Sequence, residues 1–455
     1  MPMISISNFI KTILSYQDIA IEKVDIGPDR QGDISLFIYV RQYKRASHIC
    51  PLCGKKCPGY DTSAEERLWR ENDLNGFKVY LVAKTNRIKC PEHGVITERV
   101  EWAYHNSGFT KSFDKVSALL GMNINKSFAA DFQRCRWESI GMSISRVRKE
   151  IEPNPKARYE NLVNIGVDET SFTKGHNYIT TVVNLTSGEV VWAGVGHDEA
   201  TLSKFFEELT EEQRAKIKYI AGDGARWIDA CREKYIPQAV RCIDLFHVVQ
   251  WAVQALDNVR AERWRDARKL LSELNREFSD AKNKNKTVDD KLKEKLEEAK
   301  GDVKIIKSAK YALGKNPENL TKNQEEKLDC IADTDAKLYK AYCLKEMLRL
   351  VLKLTNPKEA KEMLYKFFWK ATHSRIEEMK QLGYKIKRHF QGILNTIESG
   401  FNSAMVEGIN NRIKFMFRKA NGFRNMKNMI DMVMLSCSNL RMTLTNRIKD
   451  EFGFN

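Results

Sequence analysis

Leu162-Val163-Asn164-Ile165-Gly166-Val167 leads directly into Asp168 and opens a series of short β-rich runs: Tyr178–Leu185, Glu189–Val195, Ile217–Ala221 and Ala239–Ile243. Gly, Asn and Ser turns separate the first three, and helix-like stretches at about 201–209 and 225–234 precede the fourth and fifth. Short runs of β-branched and aromatic residues bounded by turn formers read as strands. The order strand-strand-strand-helix-strand-helix-strand-helix predicts an α/β sheet in which an antiparallel meander gains two parallel strands through helical crossovers.

That order is the one expected of a ribonuclease-H-like mixed sheet. Its first and fourth strands are neighbours, so carboxylates at their C-terminal ends are placed to share divalent cations. Asp168 ends the first run, and Asp223 ends Tyr219-Ile220-Ala221-Gly222. Glu407, in the helical stretch Ser403–Lys414, is the third expected acid. Magnesium, or manganese in its place, takes hard oxygen ligands and keeps waters, leaving room for a phosphate and a nucleophile. Two such ions clamp the entering and leaving oxygens of an in-line displacement. On the Glu407 helix, Val406, Ile409, Ile413 and Met416 form an apolar stripe, while Glu407, Asn410, Asn411, Lys414 and Arg418 share another face. Read alone, this is an ordinary amphipathic surface helix. Asp244, at the end of the fifth run, is either an alternative second acid or the cap of the next helix. Glu169 and Asp229 read as neighbours of the acids rather than ligands.

A chain of 455 residues exceeds one growing core, so several domains are expected. A net charge of +16 favours a polyanionic partner without requiring one. No apolar run is long enough to cross a bilayer, and residues 1–23 lack a basic segment followed by a clean apolar one, so a cytoplasmic protein without membrane contact is expected. Ten cysteines are too sparse for a disulfide scaffold. Cys50-Pro51-Leu52-Cys53 and Cys90-Pro91-Glu92-His93 are two knuckle-like pairs spaced for one structural tetrahedral zinc, with Cys57 as a substitute ligand. Strand-like Phe77–Val82 is read as a hairpin returning to close that site.

The expected organisation is an N-terminal module (1–104, zinc-binding at about 48–95), then a helix-turn-helix-like DNA-binding segment (105–155). A catalytic core (156–257 and 375–440) follows, interrupted by a Lys/Glu-rich helical insertion (258–374). Residues 4–16 pattern as a helix and Ile34–Val40 as a strand. The helix-turn-helix reading rests on runs Ser127–Trp137 and Ser143–Ile151, the second displaying Ser145, Arg146, Arg148 and Lys149; a plain helical hairpin fits too. Glu152-Pro153-Asn154-Pro155 marks the boundary before the core. Within the insertion, Thr321–Gln324 spells a capping box, and Asn356-Pro357 a helix start. Its charge reads as solvated helix faces.

Gly166-Val167-Asp168-Glu169, Lys174-Gly175-His176-Asn177-Tyr178, Asp244-Leu245-Phe246-His247-Val248, Leu320-Thr321, Ala341–Glu346, Glu407–Lys414 and Ala420–Asn425, in this order and spacing, resemble the transposases of the ISL-three family of bacterial insertion sequences. The resemblance runs from about residue 48 to 435 and takes in the cysteine module. It implies a DDE acid triad on Asp168, Asp223 and Glu407, with the insertion between the second and third acids, and terminal inverted repeats as the bound DNA. One departure is Gly224, where a bulkier residue is expected directly after the second acid. The implied chemistry is hydrolysis at the element end and attack of the freed 3′-hydroxyl on target double-stranded DNA, in a homodimer or larger synaptic complex. Lys414, Arg418, Lys419 and Arg424 are expected at phosphates. The sequence leaves two alternatives: a non-catalytic DNA-binding derivative, or a nuclease without strand transfer.

Overall fold

The computed structural model describes residues 6–173, 177–283, 289–401, 404–420, 422–442 and 444. The motif residues Lys174, Gly175, His176, Ser403 and Asn421 lie outside these. At the N-terminus come α1 (Ile6–Leu14) and seven strands: β1 (Ile19–Pro28), β2 (Ile34–Gln42), β3 (Gly59–Thr62), β4 (Arg67–Leu74), β5 (Phe77–Ala83), β6 (Asn86–Cys90) and β7 (Gly94–Thr97). They form two sheets, ordered β1-β2-β5-β4 and β3-β6-β7. Sequence reasoning missed β1. A register shift between Ile21 and Lys23 breaks its two-residue alternation, so its pattern is not that of a simple strand. The expected Phe77–Val82 hairpin forms as β4–β5, but it joins the first sheet, with β5 parallel to β2, instead of closing the cysteine site. Trp69 and Trp102, both buried, meet edge-to-face at 5.3 Å in the core of this unit.

Three helices follow: α2 (Lys111–Asn123), α3 (Lys126–Phe132) and α4 (Trp137–Ile151). Thr110 caps α2 by accepting from the Phe113 amide, and Asn125 caps α3. The turn before α4 lies at residues 133–136, earlier than the sequence pattern suggested, with Arg134 in the left-handed region at φ 50°. α4 buries Ile140, Ile144 and Val147 and does not stand free.

The central sheet comprises β8 (Asn164–Thr173), β9 (Asn177–Asn184), β10 (Glu189–Val195), β11 (Tyr219–Gly222) and β12 (Val240–Ile243), with α5 (Glu199–Glu208) and α6 (Glu211–Lys216) before β11 and α7 (Arg226–Tyr235) before β12. Its order is β10-β9-β8-β11-β12, antiparallel from β10 to β8 and parallel from β8 to β12. The side-chain alternation of β9 divides the two faces: Val182 packs with Leu202, Phe205 and Ile228 of α5 and α7, whereas Ile179 and Val183 face the other way.

The rest is helical. α8 (Leu245–Asn283) starts directly after β12 and runs unbroken through position 257, where the insertion was expected to begin. Then come α9 (Asp290–Ser308), α10 (Lys310–Gly314), α11 (Lys322–Thr334), α12 (Ala336–Val351), α13 (Pro357–Thr372), α14 (Glu377–Arg388) and α15 (Phe390–Ser399). Thr321 and Gln324 form the capping box of α11, and Asn356 caps α13 with Pro357 in its first turn. α15 returns to the sheet, where Thr396 Oγ1 donates to the Ile243 carbonyl at 2.7 Å. Finally α16 (Ala404–Ala420) and α17 (Met426–Cys437) share one core with α2–α4, β9 and β10.

Polar pairs fix that core. Asp114 on α2 has no exposed surface and accepts from Ser143 and bidentately from Arg146; Asp431 on α17 accepts from Ser145 and Arg148, each at 2.5 Å. Arg146 and Arg148, expected at DNA, are thus paired with acids of α2 and α17. Removing one partner of a buried pair strands the other charge. Asp114→Ala should lower stability by about 3 kcal/mol, read from the denaturant midpoint. Breaking the exposed Lys300–Glu297 pair should leave that midpoint unmoved. Equal midpoints for all three proteins would refute the assignment.

Candidate active site and metal centre

The strand register builds the acid edge. Val167 of β8 pairs with Gly222 of β11, and Gly222 with Ile243 of β12. The residue that follows each of these three is an acid: Asp168 within β8, Asp223 just after β11 and Asp244 just after β12. β8 itself does not end at Asp168 as expected but continues to Thr173, because β9 pairs with it on the other side. Asp168 thus sits mid-strand, one residue past the point where β11 stops.

Asp168 is buried, 9% exposed. Its carboxylate accepts from the Glu169 amide at 2.7 Å and from Asn410 Nδ2. Burial pushes its pKa above the usual carboxylate range and the nearby Asp244 adds to this, while His247, the Glu169 amide and Asn410 oppose it. Glu169, on the opposite strand face, is pushed up to about 8 by burial and then by the charges of Asp223 and Asp168. Sequence reasoning set Glu169 aside, and only its surroundings mark it. Asp223 accepts from the Ala225 amide at 2.9 Å, and its carbonyl accepts from Arg241. Asp244 caps α8 through the Phe246 amide at 2.9 Å and lies 3.9 Å from His247 Nε2. Asp229 is a structural partner of Arg241 at 2.8 Å.

α16 reaches this edge along β8. Gly166, Asp168 and Thr170 share one strand face; Val406 packs over Gly166, and Asn410 meets both Asp168 and Thr170. A Cβ at Gly166 would lie 2.8 Å from Leu185 and 3.3 Å from Val406, so the glycine permits the approach. Glu407 is exposed, three residues before Asn410, about 4.5 Å along the helix axis. The expected apolar stripe of α16 is buried, with Phe417 added to it, and Asn411, Lys414 and Arg418 are exposed. Lys419 instead donates to the Asn123 carbonyl at 2.6 Å, and Arg424 lies over the Trp137 ring at 5.2 Å. Lys149 is exposed on α4. Among the described residues, the acids do not form a group whose oxygens all lie within 4.8 Å of one another; the cysteine site does.

There, Cys50, Cys53, Cys90 and His93 converge: Cys50 Sγ to His93 Nδ1 is 3.6 Å, Cys53 Sγ to Cys90 Sγ 3.7 Å and Cys90 Sγ to His93 Nδ1 3.5 Å. Ligands about 2.0–2.3 Å from a tetrahedral zinc are separated by such distances. Burial would raise the Cys90 thiol, but the Glu92 and His93 amides outweigh it, and the thiol falls to about 7. The donor set fits a structural zinc. Cys57 stands outside the quartet with its Sγ toward the Lys55 carbonyl at 3.4 Å. Zinc analysis by atomic absorption should find the metal in wild type and Cys57→Ser but not in Cys53→Ser or Cys90→Ser. Zinc lost from Cys57→Ser but kept in Cys53→Ser would reverse the ligand assignment.

Comparisons with known proteins agree with this layout. A transposase family model of the DDE class, ISL3 type, matches residues 165–433, and a model described as the zinc-finger of transposase IS204/IS1001/IS1096/IS1165 matches residues 46–93. The chain is similar to the transposase for insertion sequence element IS1557 of Mycobacterium tuberculosis, with 36% identity over 428 residues and 94% of each chain covered. It is also similar to the transposase for insertion sequence element IS1001 of Bordetella parapertussis, with 25% identity over 419 residues, covering 91% of this chain and 94% of the relative. The cysteine module is thus a zinc ribbon, and the whole chain belongs to the ISL3 family of insertion-sequence transposases.

Proposed function

We propose that this transposase cuts and joins DNA at the acid edge of a ribonuclease-H-like sheet, with Asp168, Asp223 and Glu407 as the catalytic acids. The observation that carries the reading is the shared register of Val167 and Gly222 on adjacent parallel strands, each followed directly by one of the acids, Asp168 and Asp223. When bound there, two magnesium or manganese ions supply the clamp on the entering and leaving oxygens of an in-line displacement. Asp168 and Asp223 hold them, and Glu407 completes the second position. Asn410 orients Asp168. A phosphodiester at the element end is hydrolysed, and the exposed 3′-hydroxyl attacks target DNA. Asp244 is the alternative second acid, favoured by its place in the electrostatic surroundings of Asp168.

DNA contacts fall to the exposed cations Lys149, Lys414, Arg418 and Arg424, which position the backbone. The zinc ribbon and α2–α4 recognise the inverted repeats, and a homodimer or larger complex joins two ends in the bacterial cytoplasm. Among the described residues, no helix is long and apolar enough to cross a membrane.

The test is movement in cells of a marker flanked by the gene's own end sequences. Asp168→Asn and Glu407→Gln should each reduce excision and reintegration to background. Of Asp223→Asn and Asp244→Asn, the former should do so and the latter only weaken movement. Full movement by Asp168→Asn would sink the acid reading; excised but never rejoined ends in wild type would favour a nuclease without strand transfer.

A pH dependence follows from Glu169. Its folded pKa of about 8 lies above the ordinary glutamate value of 4.5, so between these values the folded chain binds more protons than the unfolded one. Without divalent cations, stability should fall as pH rises through this window. Magnesium should therefore raise the melting temperature more at the alkaline end than at the acidic end. A magnesium effect independent of pH would refute it.

A further inference from the structure

The insertion expected at 258–374 reads in sequence as solvated helix faces, yet the helices at its two ends, α8 and α14, close one corner against the acid edge. Trp251 of α8 and His389 at the α14–α15 junction lie against Gly224, the residue after Asp223. A Cβ at Gly224 would be 2.9 Å from the Trp251 ring and 3.0 Å from His389 Nε2. The residue that departs from expectation is thus the one that lets these helices seat. Lys385 of α14 extends over the same indole, its ammonium 4.0 Å from the ring centroid.

Lys385 is half-buried, and among the described residues it has no carboxylate within ion-pair distance; Asp223 is the acid whose charge it feels. Other lysines of these helices are paired, Lys345 with Glu346 and Lys337 with Glu262. A half-buried ammonium without a counter-ion has lost hydration that an arriving anion offsets. Its attraction to the indole face holds it in place without neutralising it. Arg241, which also reaches Asp223, is already committed, to Asp229 and to the carbonyls of Cys242 and Asp223. Arg388, next to His389, is exposed and also has no carboxylate within ion-pair distance among the described residues, so Lys385 is the half-buried cation of this corner left for a ligand.

We propose that Lys385, presented on Trp251, binds a backbone phosphate of the DNA entering beside Asp223, so that the helices at the two ends of the insertion form one wall of the active site. This rests on the acid edge being where DNA is cut. The test is binding of a duplex from the boundary of the chain's own gene, without divalent cation, across a salt titration. Removing one phosphate contact should make the slope of log K against log salt shallower by about 0.9. Lys385→Ala and Lys385→Met should both do so, the latter keeping an apolar stem on the indole, and Lys385→Arg should restore the slope. A wild-type slope in both neutral variants, with unchanged melting temperature, would overturn the proposal. Because this readout needs no catalysis, it stands apart from the marker assay on Asp168→Asn: loss of the acid reading there leaves the slope to be judged on its own.

Discussion

Burying the carboxylate of Asp168 is the constraint around which the centre of this protein is arranged. A charge removed from water costs several kcal/mol unless hydrogen-bond donors or counter-ions replace the lost hydration. Here the Glu169 amide and Asn410 supply donors, and His247 offsets part of the remaining potential. Asn410 is available because α16 lies along β8 over Gly166, where a side chain would obstruct the approach. The same packing fixes Glu407 one turn away. One desolvated oxygen pair thereby ties a strand near the middle of the fold to a helix more than two hundred residues later.

The acid edge concentrates like charge. Asp244 adds to the shift of Asp168, and Asp223 to that of Glu169. Such mutual repulsion disfavours ionising every group at once and is relieved by cations, so an arrangement costly to the apoprotein is suited to metal ions. The zinc ribbon solves a different problem. Its strands alternate in sequence with those of the N-terminal sheet, β5 pairing with β2 across the intervening ribbon residues. The two therefore fold as one interleaved unit.

Net charge is a poor guide to where DNA would lie. Arg146 and Arg148 contribute to the excess of +16, but their guanidiniums are committed to Asp114 and Asp431, where they join α4 to α2 and α17. Of the cations expected at DNA, those left exposed are Lys149 on α4 and Lys414, Arg418 and Arg424 on α16 and the loop after it. Lys385 is the converse case, a half-buried cation with no carboxylate within ion-pair distance among the described residues.

The sequence by itself determined the strand order of the central sheet, the zinc quartet, the helix starts at Thr321 and Asn356, and the family, because alternation, ligand spacing and capping are local and leave a pattern within a few residues. It did not reveal β1, whose bulge disrupts the alternation, or the partners of β5, which depend on a strand forty residues away. Asp168 was legible as an acid beside a strand, whereas its Asn410 contact, the raised pKa of Glu169 and the inward turn of Arg146 came only from elements distant in sequence packing together. Gly224 makes the division plain. In sequence it is a departure from expectation; in the fold it is the space that Trp251 and His389 occupy, and only tertiary packing, which decides what stands opposite a missing side chain, could supply that reason.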